Sequence, residues 1–495
     1  MPTPKPLRIS ILCLAFTCLV LISASGYWGL RRIDENRPPT VYAPYKAHFY
    51  AWTVHWGRTE PVEDEFNWTA LDRMLEFTEA NHCQIVVLVN PNNPWATGGE
   101  ARAPDDLDRA TPLSDPAPAL GYSACLYDFI YCLVEYIALY NPDLVSHLRY
   151  VNEPYFEHHW QLTASTYERD VEDYIRCLRT AYLAAHRAAD DYQVSIQVSH
   201  GGLNYNRQLE REWYQQGEAV PELRPGILEL FQSRNERSFS DVKNWEDFRR
   251  WVENYDVLPH CYWTDMLARE SEWMDCFEVH YHFKPRFIYN ELQAFEHAVL
   301  RAGGTLKPWF ASEASMQLSP LGSTLFNARF HAGDMVKKWF SGMAFGLDGI
   351  CTPITGYPPD RFFGLYDVDG NEYPAAQCYR FMRRLVPLPT VFQNISCEPF
   401  TAYRFRWGTS LVDIVWLDSL RDKDSSTGLY EPELPIHFRY GRVLDIFGQE
   451  IYMICPEKDN KITVSQEPVL ILWNLQSAPP PDCSGRKRNN TMPDR

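Results

Sequence analysis

Glu153 closes the stretch His147-Leu148-Arg149-Tyr150-Val151-Asn152-Glu153-Pro154, an apolar run that stops at a carboxylate with Asn before it and Pro after it. Glu313 closes a second stretch of the same design, Lys307-Pro308-Trp309-Phe310-Ala311-Ser312-Glu313-Ala314. A single Glu after a strand is most often a solvated turn residue. Two of them at the mouths of different strands are the minimal apparatus for cleaving a glycosidic bond. One carboxyl protonates the leaving oxygen while the other attacks the anomeric carbon, about 5–5.5 Å apart when configuration is retained. Their surroundings must then raise the pKa of the acid and keep the nucleophile ionised.

The elements needed to position them follow from the hydrophobic pattern. Strands are expected at 47–54, 84–89, 147–152, 193–198, 276–281, 308–312 and 348–351. Helices are expected between them at 69–80, with Asn67 as its cap, and at 122–140, 165–189, 289–301, 324–345 and 375–385. The run Gln84–Val89 is apolar throughout, as a strand covered on both faces requires. This alternation argues for a parallel α/β domain. Its length and the absence of a Gly-rich phosphate loop favour a (β/α)8 TIM barrel over an open sheet. Seven strands are visible; the eighth is expected before Ala47, at 41–45, or is absent. From Val391 the texture changes to short alternating segments with polar turns, as in an antiparallel β-sandwich. The expected domains are a leader or anchor at 1–30, a lead-in at 31–46, the barrel at 47–390, the sandwich at 391–476 and a disordered tail at 477–495. Loop 90–120 and an irregular insertion at 203–259, carrying Trp213, Trp245 and Trp251, interrupt the barrel.

Barrel active sites lie at the C-terminal ends of the strands. Polar and aromatic residues gather at those ends: His55 and Trp56, Asn90, Asn152 and Glu153, His280, Tyr281 and His282, and Glu313, with His200 in the loop after the 193–198 strand. In this order the chain resembles glycoside hydrolase clan A, and within it the family 39 β-xylosidase and endoglycosidase type. The resemblance rests on His55-Trp56-Gly57-Arg58-Thr59-Glu60-Pro61 with Phe66-Asn67-Trp68, on Asn152-Glu153-Pro154, on Glu278-Val279-His280-Tyr281 and on Trp309-Phe310-Ala311-Ser312-Glu313. It implies a retaining glycosidase with Glu153 as acid/base and Glu313 as nucleophile, three strands apart. Asn152 would then bond the sugar 2-hydroxyl, Tyr281 or His282 would orient Glu313 with His280 nearby, and Trp56, Trp95 and Trp160 would offer stacking platforms. Two features depart from the pattern: the 348–351 strand lacks a terminal Trp, and no Arg ends the first visible strand.

Net charge is -17 with no basic stripe, which argues against nucleic acid or an anionic membrane surface as the main partner; 16 Trp and 29 Tyr suit neutral ligands, sugars among them, and the resemblance implies an oligo- or polysaccharide substrate. Lys5 and Arg8 precede an apolar run from Ile9. It reads equally as a secretory signal cleaved near Ser23–Gly26 or as a membrane tether through 9–30, and either places the catalytic part outside the cytoplasm. No CxxC or HExxH occurs and His158-His159 are adjacent, so no metal and no cofactor are expected. Eleven of the 13 cysteines lie outside the run, and Cys83, Cys132, Cys177, Cys276 and Cys351 read as buried thiols. The rival functions are a non-catalytic carbohydrate-binding protein on a degenerate barrel and an acyl hydrolase, for which no Gly-x-Ser-x-Gly elbow is present.

Overall fold

A computed structural model describes residues 28–31, 39–114, 120–155, 160, 167–203, 207–234, 242–254, 257–282, 285–317, 328–354, 362–367, 369–386, 390–418, 427–432, 438–454 and 461–475. Eight parallel strands form the central barrel: β1 Trp28–Arg31, β2 Phe49–His55, β3 Gln84–Asn90, β4 Val145–Tyr150, β5 Gln197–His200, β6 Phe277–Tyr281, β7 Trp309–Ala314 and β8 Leu347–Pro353. Their order is β5-β4-β3-β2-β1-β8-β7-β6. Isolated parallel bridges Ser199–Cys276 and Leu203–Val279 join the two ends of that order, so the sheet returns on itself.

The missing strand is β1. It is neither at 41–45, where two 3-10 turns lie, nor absent. Gly29 pairs with Phe49 of β2 on one side and Cys351 of β8 on the other. The 1–30 leader therefore overlaps the barrel: Trp28 and Leu30 are core residues, and the indole N–H of Trp28 donates to the Val386 carbonyl at 2.7 Å. Residues 9–27 of the proposed tether lie outside the described residues, among which no helix is long and apolar enough to cross a membrane.

Helices Thr69–Ala80, Ala124–Tyr140, Tyr167–Tyr192, Ile288–Arg301, Ala328–Phe345 and Pro374–Leu385 flank the barrel close to the expected ranges. Asn67 is not the N-cap of the first. Trp68 holds that position, and Asn67 Oδ1 instead accepts from Thr69 N–H at 3.2 Å. The insertion is not irregular either. Its described residues include the helices Arg207–Ala219, Arg224–Arg234 and Trp245–Asn254 and the start of Val257–Arg269. Leu209, Trp213, Phe231, Phe248 and Trp251 form a separate small core that also takes in Phe287. The widely spaced Trp residues were helix faces, not loop decoration. Cys83, Cys177, Cys276 and Cys351 are buried thiols, whereas Cys132 is half-buried.

The C-terminal unit has a six-stranded antiparallel sheet, which includes Phe400–Trp407, Ser410–Leu417, Phe438–Leu444, Glu450–Ile454 and Val469–Leu475. A two-stranded ribbon, Gly428–Tyr430 with Ile462–Val464, covers one face. Period-two alternation splits the sheet. Ala402, Val415 and Ile471 face the ribbon, while Tyr403, Phe405, Ile414 and Leu472 join the barrel core. The tail at 477–495 and Ile436 lie outside the described residues.

Inside the barrel two layers are stacked. The lower is apolar: Phe49, Ala51, Val86, Cys276, Phe310 and Cys351. His147 lies against it, its ring stacked on Phe310 at 4.4 Å. The upper layer is polar and makes the site. Because β1 supplies one edge of two ladders, a chain beginning at Tyr27 should fold, whereas one beginning at Arg32 should lose cooperative unfolding. Near-ultraviolet circular dichroism and thermal melting of the two truncations check this; equal melts would contradict the assignment of β1.

Candidate active site

Alternation along β6 aims Cys276, Glu278 and His280 into the barrel and Val279 and Tyr281 out towards the helices. Tyr281 is fully buried and its hydroxyl donates to the Pro285 carbonyl at 3.1 Å. It does not line the site, which leaves His282 of the two expected partners for Glu313. On β7 simple alternation would put Phe310 and Ser312 inside and Glu313 outside. The register corrects this: Phe310 pairs with Glu278 but Glu313 pairs with His280, so β7 carries one extra residue. Such a bulge re-aims the side chain that follows it. Glu313 turns inward and only 4% of it is exposed.

Glu153 lies in the turn beyond β4, not on the strand. Val151 and Glu153 both have left-handed backbones, φ 63° and 42°. That is a costly conformation for a β-branched residue and one that clusters at functional sites. The turn is clamped by the loop after β5, where the Glu153 N–H donates to the Gly201 carbonyl at 2.7 Å. A side chain at Gly201 would fall 2.0 Å from the Val151 oxygen, and one at Gly202, φ 86°, would strike the His280 ring at 2.4 Å. The Gly201-Gly202 pair thus lets the loop close on both Glu153 and His280.

Arg31, the last residue of β1, forms an ion pair with Glu313 and donates to Asn152 Oδ1 at 3.1 Å. It is the arginine absent from the end of the first strand visible in the sequence. Beneath lies Glu278, wholly buried. Arg149 Nε donates to it at 2.7 Å and Ser199 Oγ at 2.8 Å, and Ser312 bonds it as well. Burial alone would raise the pKa of Glu278, but the Arg149 guanidinium and His280 bring it down to about 2. This buried pair carries its own hydrogen bonds, the condition under which burial of charge is tolerated.

His280 connects this base to the site. Its Nδ1 is 2.6 Å from Glu153 Oε1, and its Nε2 is 2.8 Å from an Arg149 nitrogen and 3.4 Å from Glu278. Burial would lower the His280 pKa, but the Glu153 and Glu278 carboxylates outweigh it and raise it. Burial would raise the Glu153 pKa, but His280 outweighs it and lowers it. The proton of the pair therefore rests on His280. That is the reverse of the raised carboxyl expected for a resting general acid.

His282, Nε2 3.9 Å from Glu313 Oε1, also bonds Ser315 Oγ through Nδ1 at 2.8 Å. Burial holds its pKa down at about 4. Lys338 Nζ braces the same loop by donating to the His282 and Ser315 carbonyls at 3.1 and 2.8 Å. Glu153, Glu313, Asn152, His280 and His282 are thus brought together.

The remaining candidates divide. His55 and Asn90 pair in register at the adjoining β2 and β3 ends, and both are half-exposed. Burial, with Arg58 nearby, lowers the His55 pKa. Trp56 is fully buried, stacked on Phe129 at 5.2 Å with its indole donating to Glu60 at 2.7 Å. Trp160 is equally enclosed, packed on Tyr174 and donating to the Asp170 carbonyl at 3.2 Å. Neither offers a face for stacking, because the core has taken both. Trp95 is half-buried and donates to the Glu60 carbonyl at 3.1 Å. His200 lies below the site, accepting the Glu278 N–H at 3.0 Å, so it supports the base and does not meet a ligand. His158 and His159 lie outside the described residues. The residues missed in sequence are Arg31, Arg149, Glu278, Ser199, Ser312, Ser315 and Lys338.

The chain shares its fold with several solved structures. A family 39 glycoside hydrolase from the gut symbiont Bacteroides cellulosilyticus superposes with a TM-score of 0.57 at 12% identity, covering 90% of this chain and 80% of that one. A glucosidase from Croceicoccus marinus gives 0.54 at 12% identity over 92% and 97%. A conserved exported protein from Bacteroides fragilis gives 0.53 at 9% over 91% and 98%. No family model and no curated protein matches the sequence. Together they define the class: a TIM barrel with a β-sandwich, in the architecture these proteins share.

Burial also sets a pH dependence. His147 and His200 are held neutral, burial lowering each from 6.5 to about 4. The unfolded chain takes up these protons first, so their contribution is complete above pH 6.5 and is lost as pH falls towards 4. Each costs at most about 1.4 kcal/mol per pH unit in that window. The raised His280 works in the opposite direction and offsets part of the loss. Urea midpoints should fall between pH 7 and pH 5, and fall less in His147→Gln measured against its own value at pH 7.

Proposed function

We propose that this protein is a retaining glycoside hydrolase acting on β-linked oligo- or polysaccharides, with Glu313 as nucleophile and Glu153 as acid/base. The observation that carries the reading is that both carboxylates lie near His282 at the C-terminal ends of the strands, its Nε2 3.9 Å from Glu313 Oε1 and a ring nitrogen within 4.8 Å of a Glu153 oxygen. His282 lies between them and Arg31 ties Glu313 to Asn152. Shared architecture with a family 39 hydrolase and a glucosidase supports the same class.

In this reading Arg31 and His282 orient the Glu313 carboxylate for attack, forming a covalent glycosyl-enzyme. Asn152, fixed by Arg31, bonds the hydroxyl next to the anomeric carbon, where such a contact strengthens in the transition state. Glu153 draws a proton from His280 across their 2.6 Å hydrogen bond and passes it to the leaving oxygen, which leaves Glu153 ionised and His280 neutral. In the second step Glu153 takes a proton from water, which releases the sugar with its configuration retained. The buried Glu278–Arg149 pair keeps His280 in place throughout. The apolar run ahead of β1 supports an exported barrel, and any leader cleavage must fall before Trp28.

Hydrolysis of a panel of aryl β-glycosides tests the reading. Glu313→Gln should lower turnover by roughly 10³-fold or more, about 4 kcal/mol of barrier. Azide should rescue Glu313→Gly by releasing a glycosyl azide of the opposite anomer. Undiminished turnover in Glu313→Gln would contradict the assignment.

A further inference from the structure

The turn after β4 and the end of β6 bring three potential ligands to one point. The ligand atoms of Glu153, His280 and His282 all lie within 4.8 Å of one another, and all three residues are buried. We propose that these residues form a binding site for a divalent transition metal of the Zn2+ type, and that a bound ion switches the glycosidase off. Binding stands on the geometry alone; the inhibition rests on the role given to Glu153 above.

The donor set is the first argument. Two imidazoles and one carboxylate make a three-residue set that zinc uses with a fourth position open, and imidazole favours Zn2+, Cu2+ or Ni2+ over Mg2+ or Ca2+. The placement is the second. His280 and His282 are two residues apart at the end of one strand, so both rings leave the same face, while Glu153 comes from the turn after β4.

The third argument is the backing of the rings. A ligating His normally has its far nitrogen held by a carboxylate or another acceptor. His282 Nδ1 is so placed, 2.8 Å from Ser315 Oγ; His280 Nε2 is 3.4 Å from Glu278 Oε1 but 2.8 Å from an Arg149 nitrogen, so ligation through Nδ1 requires Nε2 to take a proton and turn from Arg149 to Glu278. That leaves His280 Nδ1 and His282 Nε2 as the atoms turned towards the carboxylates, at 2.6 Å from Glu153 and 3.9 Å from Glu313. Little else must move. Metal–ligand bonds of about 2.0–2.1 Å in a tetrahedron put ligand atoms about 3.3 Å apart. The 2.6 Å His280–Glu153 contact has only to open by rotation of the carboxylate. An ion held there occupies the oxygen that must carry the proton, so acid catalysis stops. The usual sequence patterns for zinc, CxxC and HExxH, do not cover a strand His-x-His completed by a remote Glu.

The full chain, stripped of metal by a chelator, is titrated with Co2+ and read by visible absorption. One ion per chain with the spectrum of a tetrahedral site is expected, displaced by Zn2+. His282→Ala and Glu153→Gln should each weaken binding at least about a hundredfold, the upper end of what losing a mere supporting neighbour costs. His297→Ala, which removes an exposed His 3.3 Å from Glu212, should leave binding unchanged. Should His282→Ala fail to fold, Glu153→Gln, which keeps the side chain's size, carries the test. Absence of a tetrahedral spectrum, or affinity unchanged in both ligand variants, overturns the site. Turnover of an aryl β-glycoside that persists with Zn2+ bound overturns the inhibition. A chain that binds Co2+ in this way but turns over no glycoside, with or without chelator, sinks the glycosidase reading and leaves the metal site standing.

Discussion

The ion pair between Arg31 and Glu313 joins the fold to its chemistry. Arg31 ends β1, the first of the described barrel strands, and its guanidinium reaches both Glu313 on β7 and Asn152 beyond β4. Four residues of β1 bridge β2 and β8, so the barrel closes only when this strand inserts. Closure and assembly of the site are therefore one event. Without Arg31, Glu313 would be a buried carboxylate stripped of its cation, a state that costs several kcal/mol.

Below that contact the site is a balance of buried charge. Arg31 and Arg149 face Glu313 and Glu278, His280 lies between Glu278 and Glu153, Ser199 and Ser312 bond Glu278, and Ser315 bonds His282. Below this layer the barrel is apolar, from Phe49 to Cys351. The division explains how the interior holds so many charges: they are stacked where each meets an opposite charge, over a floor that excludes water. It also bears on the His280–Glu153 pair, since the Glu153 and Glu278 carboxylates favour the charged imidazole and the Arg149 guanidinium opposes it.

Much of this was legible in the sequence, and the failures have physical causes. Alternating apolar runs revealed seven strands and the helices between them, because a strand buried on both faces cannot hide its composition. β1 was hidden because Trp28, Gly29 and Leu30 continue an apolar N-terminal run, and Arg31 looked like the charge that ends it. Losing β1 meant losing the arginine that supports Glu313. Tyr281 was misplaced because strand alternation sends it outward, and Glu313 is turned inward by a bulge that no periodicity displays. Trp56 and Trp160 looked like platforms because indole serves a core as readily as a binding face. The insertion reads as irregular in sequence because its helices bury their apolar faces against one another and not against the barrel sheet.

The account rests on Glu313 as the group that attacks the sugar. An aryl β-glycoside carrying fluorine at C2, which slows hydrolysis of the covalent intermediate, allows it to be trapped and located by peptide mass spectrometry. The account predicts one sugar per chain, attached to the peptide that contains Glu313. A label on Glu153, or steady turnover of the parent glycoside with no label on any carboxylate, would contradict it.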